Sequence, residues 1–334
     1  MNVLFTSSGR RVELINFFKR EGFTTFAADY DPTAPSLYTA DKGFIVPSVV
    51  DNPEKYIEAL LNICKKEHIE VIVPLIDPEL PILAKEKATF SNVGTVVLLS
   101  DYESVEIAAD KYATYIFYKR AGLLSPKTLN LDDKKLVKEE IEKDIFPALL
   151  KPRYGSAGKG IIKCPDIDCF NFFTSKLNIQ DYILQKYVSG EEITIDIFGD
   201  GTGRLISAVQ RKRLKIRGGE VERGITVKYP DLFEDAVNFS KKFKPFGTVN
   251  IQCFYDKQEG KRFYTEINAR FGGGYPLAYH AGANFPKYIK ALLSGKTLES
   301  MIEKDYKEGL IMSRFDEAIY KYREELLNPD ESSV

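Results

Sequence analysis

Lysine and glycine crowd the segment Leu150-Lys-Pro-Arg-Tyr-Gly-Ser-Ala-Gly-Lys-Gly160. A strand-like run delivers Lys151, and a loop carrying Gly155, Gly158 and Gly160 follows. Glycines let backbone N–H groups approach a polyphosphate closely, and a lysine adds a mobile positive charge. The segment has neither the GxxxxGK[ST] spacing of a Walker A loop nor the GxGxxG of a dinucleotide fold. A hairpin turn with solvated lysines is the competing reading of these residues taken alone.

Two further groups lie downstream. Asn250-Ile-Gln-Cys253 and Glu266-Ile-Asn-Ala-Arg270 read as strands, and alternation puts Glu266, Asn268 and Arg270 on one face. A carboxylate beside an amide oxygen is a hard donor pair suited to Mg²⁺ bridging nucleotide phosphates, and Gln252 on a neighbouring strand adds a further oxygen. Arg270 complements a phosphate or a carboxylate. An exposed polar strand face is the rival, and the run Gly272-Gly-Gly274 directly after it weighs against that rival. Between the two groups, Gln185-Lys-Tyr-Val-Ser-Gly-Glu-Glu192 reads as a strand edge and a turn. Such an edge can offer backbone groups to a purine, with an acidic residue reaching ribose hydroxyls.

These groups need elements to hold them. Val3–Thr6, Phe23–Ala27, Val71–Pro74 and Thr95–Leu99 read as short strands, with helices over Val12–Lys19 and Tyr56–Lys66. That alternation predicts a doubly wound parallel sheet, with ligands beyond the carboxyl ends of its strands. After about Asp110 the texture changes. A helix over Lys111–Ala121 precedes a strand at Phe146–Lys151, the glycine loop and another strand. Strands then dominate: Tyr182–Tyr187, Ile193–Phe198, Arg204–Arg211, Thr226–Tyr229, Gly247–Tyr255 and Arg262–Asn268. Turns at 199–203 and 256–260 predict antiparallel pairing. The expected class is α/β followed by α+β: a parallel-sheet domain over 1–108, then two lobes over 109–190 and 191–334, with the acidic tail after Asn328 frayed.

Composition narrows the function classes. The 334 residues are 44% hydrophobic and 28% charged, with a net charge of −1, which gives no electrostatic reason to expect nucleic acid or an acidic membrane. Cys64, Cys164, Cys169 and Cys253 form no CxxC pair, and His68 and His280 are too few to complete a zinc set. They read as reduced, mostly buried thiols. No segment approaches the ~20 apolar residues of a membrane span. A cytoplasmic protein is the expectation, and a homodimer is compatible with it.

The three groups in this order resemble the ATP-grasp superfamily, in the branch of the carbamoyl-phosphate synthetase large chain and biotin carboxylase. The resemblance covers nearly the whole chain. It includes the preceding α/β domain, the KP-x-x-G-x-x-G-x-G loop, QKYVSGEEITID, and the NIQ…EINARFGGGYP finish. It implies an ATP- and Mg²⁺-dependent ligase in which Lys111 and Lys151 contact ATP phosphates, and Tyr154, Gly155, Ser156, Gly158 and Gly160 belong to a closing loop. It further implies that Gln185, Lys186 and Val188 line the adenine pocket and that Glu192 meets the ribose. Gln252, Glu266 and Asn268 would hold the magnesium. Arg270, with the basic strand and loop Lys212, Arg213 and Arg217, would meet the transferred phosphate or the substrate. The family often places an acidic residue where Gln252 stands, although the carbamoyl-phosphate synthetase branch has glutamine there too. Glu266 then carries most of the metal's charge.

The chemistry implied is acyl-phosphate formation. A carboxylate attacks the γ-phosphate of ATP, and an amine then displaces phosphate to give an amide or peptide-like bond. Positioning and charge neutralisation carry such a reaction, which agrees with the absence of an evident nucleophile–base pair. Substrates would be a small carboxylate and an amine. Arg10 and Arg11 face an anionic substrate or solvent equally well. Asp77 and Glu79 read as contacts to a substrate amine, with helix capping the rival for Asp77. His280 reads as structural. Three alternatives stay open: carboxyphosphate or carbamate phosphorylation, an NAD-dependent oxidoreductase using Asp29, and a nucleotide-binding protein without turnover.

Overall fold

The computed structural model describes residues 1–143, 145–155, 158–298 and 306–327. Ser156 and the tail beyond Asn328 therefore lie outside the described residues. Among the described residues no helix is long and apolar enough to cross a membrane.

The chain begins as the alternation requires: β1 (Asn2–Thr6), α1 (Val12–Arg20), β2 (Thr24–Asp29), α2 (Pro35–Thr39), β3 (Lys42–Ile45), α3 (Pro53–Lys66), β4 (Val71–Pro74), α4 (Leu80–Lys85), α5 (Lys87–Ser91) and β5 (Val96–Val97). The five strands form a parallel sheet in the order β3-β2-β1-β4-β5. Val3, Leu4 and Phe5, like Val71, Ile72 and Val73, are buried on both faces, as parallel strands between helices must be. The order reverses between β1 and β4, so Ser7–Arg11 after β1 and Asp77–Glu79 after β4 flank one crevice. Sequence reading missed β3, whose Lys-Gly-Phe-Ile is too short and too polar at its start to stand out. Asp29 is buried and accepts from the Gly9 N–H at 2.7 Å and from Asp31, so it fastens the first loop and is not presented to a ribose.

α6 (Tyr102–Ala109) and α7 (Lys111–Arg120) lead into a small sheet of β6 (Thr128–Asn130), β7 (Ala148–Pro152), β8 (Ile162–Cys164) and β9 (Tyr182–Lys186), ordered β6-β9-β7-β8 and antiparallel throughout. α8 (Lys134–Glu142) and α9 (Ile167–Thr174) cover it. Its core, built from Leu129, Ala148, Leu150, Phe170 and Leu184, is separate from the other two hydrophobic clusters. A lobe with its own core can shift as a body.

The chain then crosses at Gly190. Its φ is +153°, and a Cβ there would come within 2.9 Å of the Tyr255 backbone, so only glycine fits the crossing. Beyond it β10 (Glu191–Asp200), β11 (Leu205–Arg217), β12 (Glu220–Val227), β13 (Phe246–Asp256), β14 (Lys261–Asn268) and β15 (Ile311–Ser313) build a six-stranded antiparallel sheet ordered β14-β13-β10-β11-β12-β15. α10 (Pro230–Phe243), α11 (Tyr275–Ala281) and α12 (Phe285–Leu293) pack on it. The loop expected around Lys212, Arg213 and Arg217 is a correction. β11 runs on to Arg217 and turns through Gly218 and Gly219, both left-handed, straight into β12. Dense charge in Lys-Arg-Leu-Lys-Ile-Arg hid a strand that alternates over a solvated edge.

The parallel-sheet domain and the large lobe share their cores. One cluster joins Leu4 and Ile72 to Ile195, Leu232 and Ile251, and another joins Phe5 and Phe17 to Phe271 and Tyr275. Cys64, Cys164 and Cys253 are buried free thiols, and Cys169 is half-buried, as their spacing predicted.

Candidate active site

The polar face of the large sheet follows from strand register. Thr194 on β10 lies between Arg211 on β11 and Gln252 on β13, and Gln252 pairs with Glu266 on β14. One step along, Asp196 pairs with Asn250, and Asn250 with Asn268. Period-two alternation puts these side chains on a single face. Asn268 donates its amide to Asn250 Oδ1 at 3.1 Å, and Asn250 donates to the Arg270 carbonyl at 3.1 Å. That relay orients Asn268 with its own oxygen uncommitted among the described residues. The Glu266 carboxylate has no hydrogen bond or ion pair among the described residues, while its carbonyl accepts from Tyr118 at 2.9 Å.

Facing Glu266 are the two lysines. Lys151, 6% exposed on β7, donates to Gln185 Oε1 at 2.8 Å, and Gln185 donates onward to Thr128 at 2.9 Å. Lys111, the first residue of α7, donates through Nζ to the Gly155 carbonyl at 2.6 Å. Burial lowers the pKa of both. For Lys151 the pull of Glu266 opposes that shift, Lys111 adds repulsion, and Glu192 opposes more weakly. For Lys111 the opposing charges are Glu266, Asp77 and Asp110. Desolvated cations around one carboxylate favour a multiply charged anion accompanied by a hard cation. The Gln252–Glu266–Asn268 oxygen set fits such a cation, with one formal charge from Glu266. No group of three or more His, Cys, Asp or Glu poised for a metal occurs among the described residues.

Sequence reading overlooked the fastening of this site. Asp110 caps α7 by accepting from the N–H groups of Tyr112 and Ala113, and Arg153 grips the same carboxylate through Nε and Nη2 at 2.9 and 2.6 Å. The Lys111 N–H donates to the Arg153 carbonyl at 3.0 Å. Helix start and strand end are thus stitched together where the glycine loop departs. The signal was present as an aspartate immediately before a helix. In the loop, Gly155, Gly158 and Gly160 have φ of +104°, +68° and +72°, and Tyr154 is exposed. A cavity of about 300 Å³ opens beside them, bounded by Lys111, Gly155, Glu266 and Asn268 and floored by Leu80 and Val105.

Other expected residues fall elsewhere. Gln185 is buried in its contact with Lys151, and Lys186 and Val188 are half-buried beside it; none of the three lines that cavity. Glu192 meets Arg213 at 2.8 Å, and Arg213 Nε donates to Thr194 at 3.3 Å, so both stand on the polar face. Lys212 does not join them. It registers with fully buried Ile193 and pairs with Glu191 at 2.5 Å on the opposite face. Arg217 is 61% exposed near the hairpin tip, paired with Asp316 at 2.6 Å. Arg270 is clamped by Asp77 through Nε and Nη2 at 2.8 and 2.7 Å, so Asp77 acts on an arginine and not as a helix cap. Glu79 is fully buried and cannot reach a substrate amine. His280 lies 3.6 Å from Glu13 on an exposed helix face.

Residues 3–98 match the family described as the PylC-like N-terminal domain, and residues 178–317 match ATP-grasp in the biosynthetic pathway with Ter operon. Residues 178–317 thus match an ATP-grasp family, in line with the resemblance drawn from the motifs. A carbamoyl-phosphate synthase of Methanobrevibacter smithii is 25% identical over 82% of this chain and 75% of its own length. The carbamoyl phosphate synthase large chain of Clostridium acetobutylicum is 23% identical over 85% of this chain, which spans only 27% of that relative. Among solved structures, the biotin carboxylase domain of Hydrogenobacter thermophilus 2-oxoglutarate carboxylase, with MgADP and bicarbonate, superposes with a TM-score of 0.73, at 19% identity, covering 92% of this chain and 73% of that one. N5-carboxyaminoimidazole synthetase of Staphylococcus aureus with ADP gives 0.72 at 15% identity, covering 90% and 78%. The fold is therefore the expected one, a parallel-sheet domain before a two-lobed ATP-grasp domain.

Proposed function

We propose that the cleft between the small sheet and the polar face of the large sheet activates a small carboxylate with ATP and couples it to an amine. The observation that carries this reading is the meeting of Lys111, Lys151, Glu266 and Asn268 under the glycine loop. Lys151 exchanges Gln185 for a phosphate oxygen, and Lys111 exchanges the Gly155 carbonyl. Both lysines gain what burial costs them. Magnesium, when bound, neutralises phosphate charge, with Gln252, Glu266 and Asn268 as its protein donors. Gln185, Lys186 and Val188 form the adenine side, and Glu192 is the ribose contact once Arg213 releases it.

Arg270, held by Asp77, and Arg213 stabilise charge on the group in transfer. Lys212 and Arg217 we leave outside the chemistry. Residues Tyr154–Gly160 close over the phosphates as the small lobe, with its own core, moves toward the large one. Closure excludes water from the acyl phosphate. The working units are 1–108, 109–190 and 191–334, in a cytoplasmic protein. The Hydrogenobacter relative is a dimer, and we propose a homodimer here too.

A second reading is favoured by the carbamoyl-phosphate synthases and the bicarbonate-bound relative: the carboxylate is bicarbonate or carbamate. One experiment separates the two. ADP release is measured over paired carboxylates and amines, with bicarbonate and ammonia as one pair and hydroxylamine as a trap. Hydroxamate formed with an organic carboxylate, and abolished in K151A and E266A, supports the ligase. Release with bicarbonate alone supports the second reading. Activity that survives both substitutions removes the site assignment.

A further inference from the structure

Beside Arg270, and away from the nucleotide groups, three guanidiniums from distant parts of the chain converge on one carboxylate. Arg10 and Arg11 come from the loop after β1, Arg314 from the residue after β15, and Glu220 from the start of β12. Their separations from Glu220 are 3.7, 3.9 and 3.4 Å. All three exceed the 2.7–2.9 Å of a good charge-assisted hydrogen bond. Arg11 is the least satisfied. Its side chain is 22% exposed, and among the described residues its guanidinium donates no hydrogen bond. Burial brings its pKa down to about 10, and repulsion from Arg270, Arg314 and Arg10 adds to this against the pull of Glu220. It remains charged at neutral pH, so positive charge is in excess here.

The backbone comes close to these groups. Gly273, in the run between β14 and α11, has no side chain where a Cβ would stand 3.0 Å from Arg11 Nη1 and 3.5 Å from the Glu220 carboxyl. Arg314 is already tied to the Gly273 carbonyl and, at 3.4 Å, to the Val221 carbonyl, which fixes one wall. Arg270 stands close enough to act on the charge of Arg11. Arg11 and Arg314 belong to different domains and meet only because those domains share a core.

We propose that Arg11, Arg314 and the Gly273 backbone form a binding site for a second oxyanion of the substrate, a carboxylate or phosphate remote from the carboxyl that is phosphorylated. Glu220 occupies the guanidiniums until that group arrives. The substrate class is then an acid with at least two anionic groups, and Arg11 is its specificity-determining residue. That the ligand is a substrate rests on the ligase reading above; that an oxyanion binds here does not.

The test is calorimetric titration of the full chain saturated with MgADP, using succinate in one arm and inorganic phosphate in another. Each arm is repeated in R11Q, R314Q and E220Q. At least one anion is expected to bind the native protein, with affinity falling about tenfold or more in R11Q and R314Q, as for loss of a charged hydrogen bond. E220Q removes the competing carboxylate and should tighten binding, a gain that misfolding cannot mimic. The arm that responds identifies the oxyanion. Binding unchanged in R11Q, R314Q and E220Q, or no binding of either anion to the native MgADP complex, overturns the proposal. Failure of the native protein to bind MgADP would instead count against the ligase reading.

Discussion

Asp77 and Arg270, 193 residues apart in sequence, form a bidentate ion pair at 2.8 and 2.7 Å that joins the parallel-sheet domain to the end of β14. Asp77 follows β4 at the crevice of the first sheet, and Arg270 stands two residues beyond Asn268. The pair fixes an arginine that would otherwise sample many rotamers, and in the proposed reaction fixes it where a phosphoryl group would pass. Asp77→Asn keeps the shape but removes the charge and one fork of the grip. The expected outcome is a fall in kcat/KM of about 10- to 100-fold, the cost of a charged hydrogen bond. MgADP affinity should change less than turnover, since Asp77 reaches the nucleotide groups only through its charge on Lys111. Steady-state kinetics and calorimetry on the same preparation check both halves.

The segment carrying Asp77 is anchored by Glu79. Its carboxylate accepts from the N–H groups of Leu75 and Ile76 at 2.7 and 3.0 Å, from Ser7 Oγ at 3.0 Å, and from the Tyr56 hydroxyl. Burial nevertheless holds its pKa above the ordinary 4.5, against the donors from Tyr56, Ile76 and Leu75. The sign follows. The folded state binds the proton more tightly than the unfolded state, so Glu79 contributes stability below its ordinary pKa. That stability is lost as pH rises through the folded value. Melting temperature followed upward from about pH 4.5 should therefore carry a falling component, and Glu79→Gln should flatten it.

Exposure separates two of the arginines of the long hairpin, Arg213 and Arg217. Arg217 and Asp316 pair in open solvent, where an ion pair contributes little. Arg217→Ala should leave melting temperature and turnover at the native values. Arg213 is half-buried between Glu192 and Thr194, and Arg213→Gln should reduce turnover by about tenfold or more. Parallel assays of the two variants check the division of the basic stretch into a site half and a surface half.

Much of this was legible in the residues. Continuous apolar runs such as Val3–Phe5 and Val71–Val73 announce buried parallel strands, and period two across Glu266–Asn268 announces a polar sheet face. The glycine loop with Lys151 was equally plain, whereas Lys111 followed only from the family resemblance. Less could be read where long-range register decides the outcome. Lys212 and Arg213 are neighbours in sequence, yet one β-step sends them to opposite faces, and no local signal says which face is the site. The Asp110–Arg153 and Asp77–Arg270 pairs bridge distant segments, and only the fold brings their partners together. Glu79 read as a free acid because its burial depends on Tyr56 and Ser7, which other elements supply.

The central claim is that the cleft holds a magnesium nucleotide between Lys151 and Glu266. Calorimetric titration of ADP, with and without Mg²⁺, into the native protein, K151A and E266A tests it most directly. The account predicts magnesium-dependent binding to the native protein, a loss of about tenfold or more in K151A, and binding in E266A that no longer responds to magnesium. ADP affinity and magnesium response that are the same in all three proteins would contradict it.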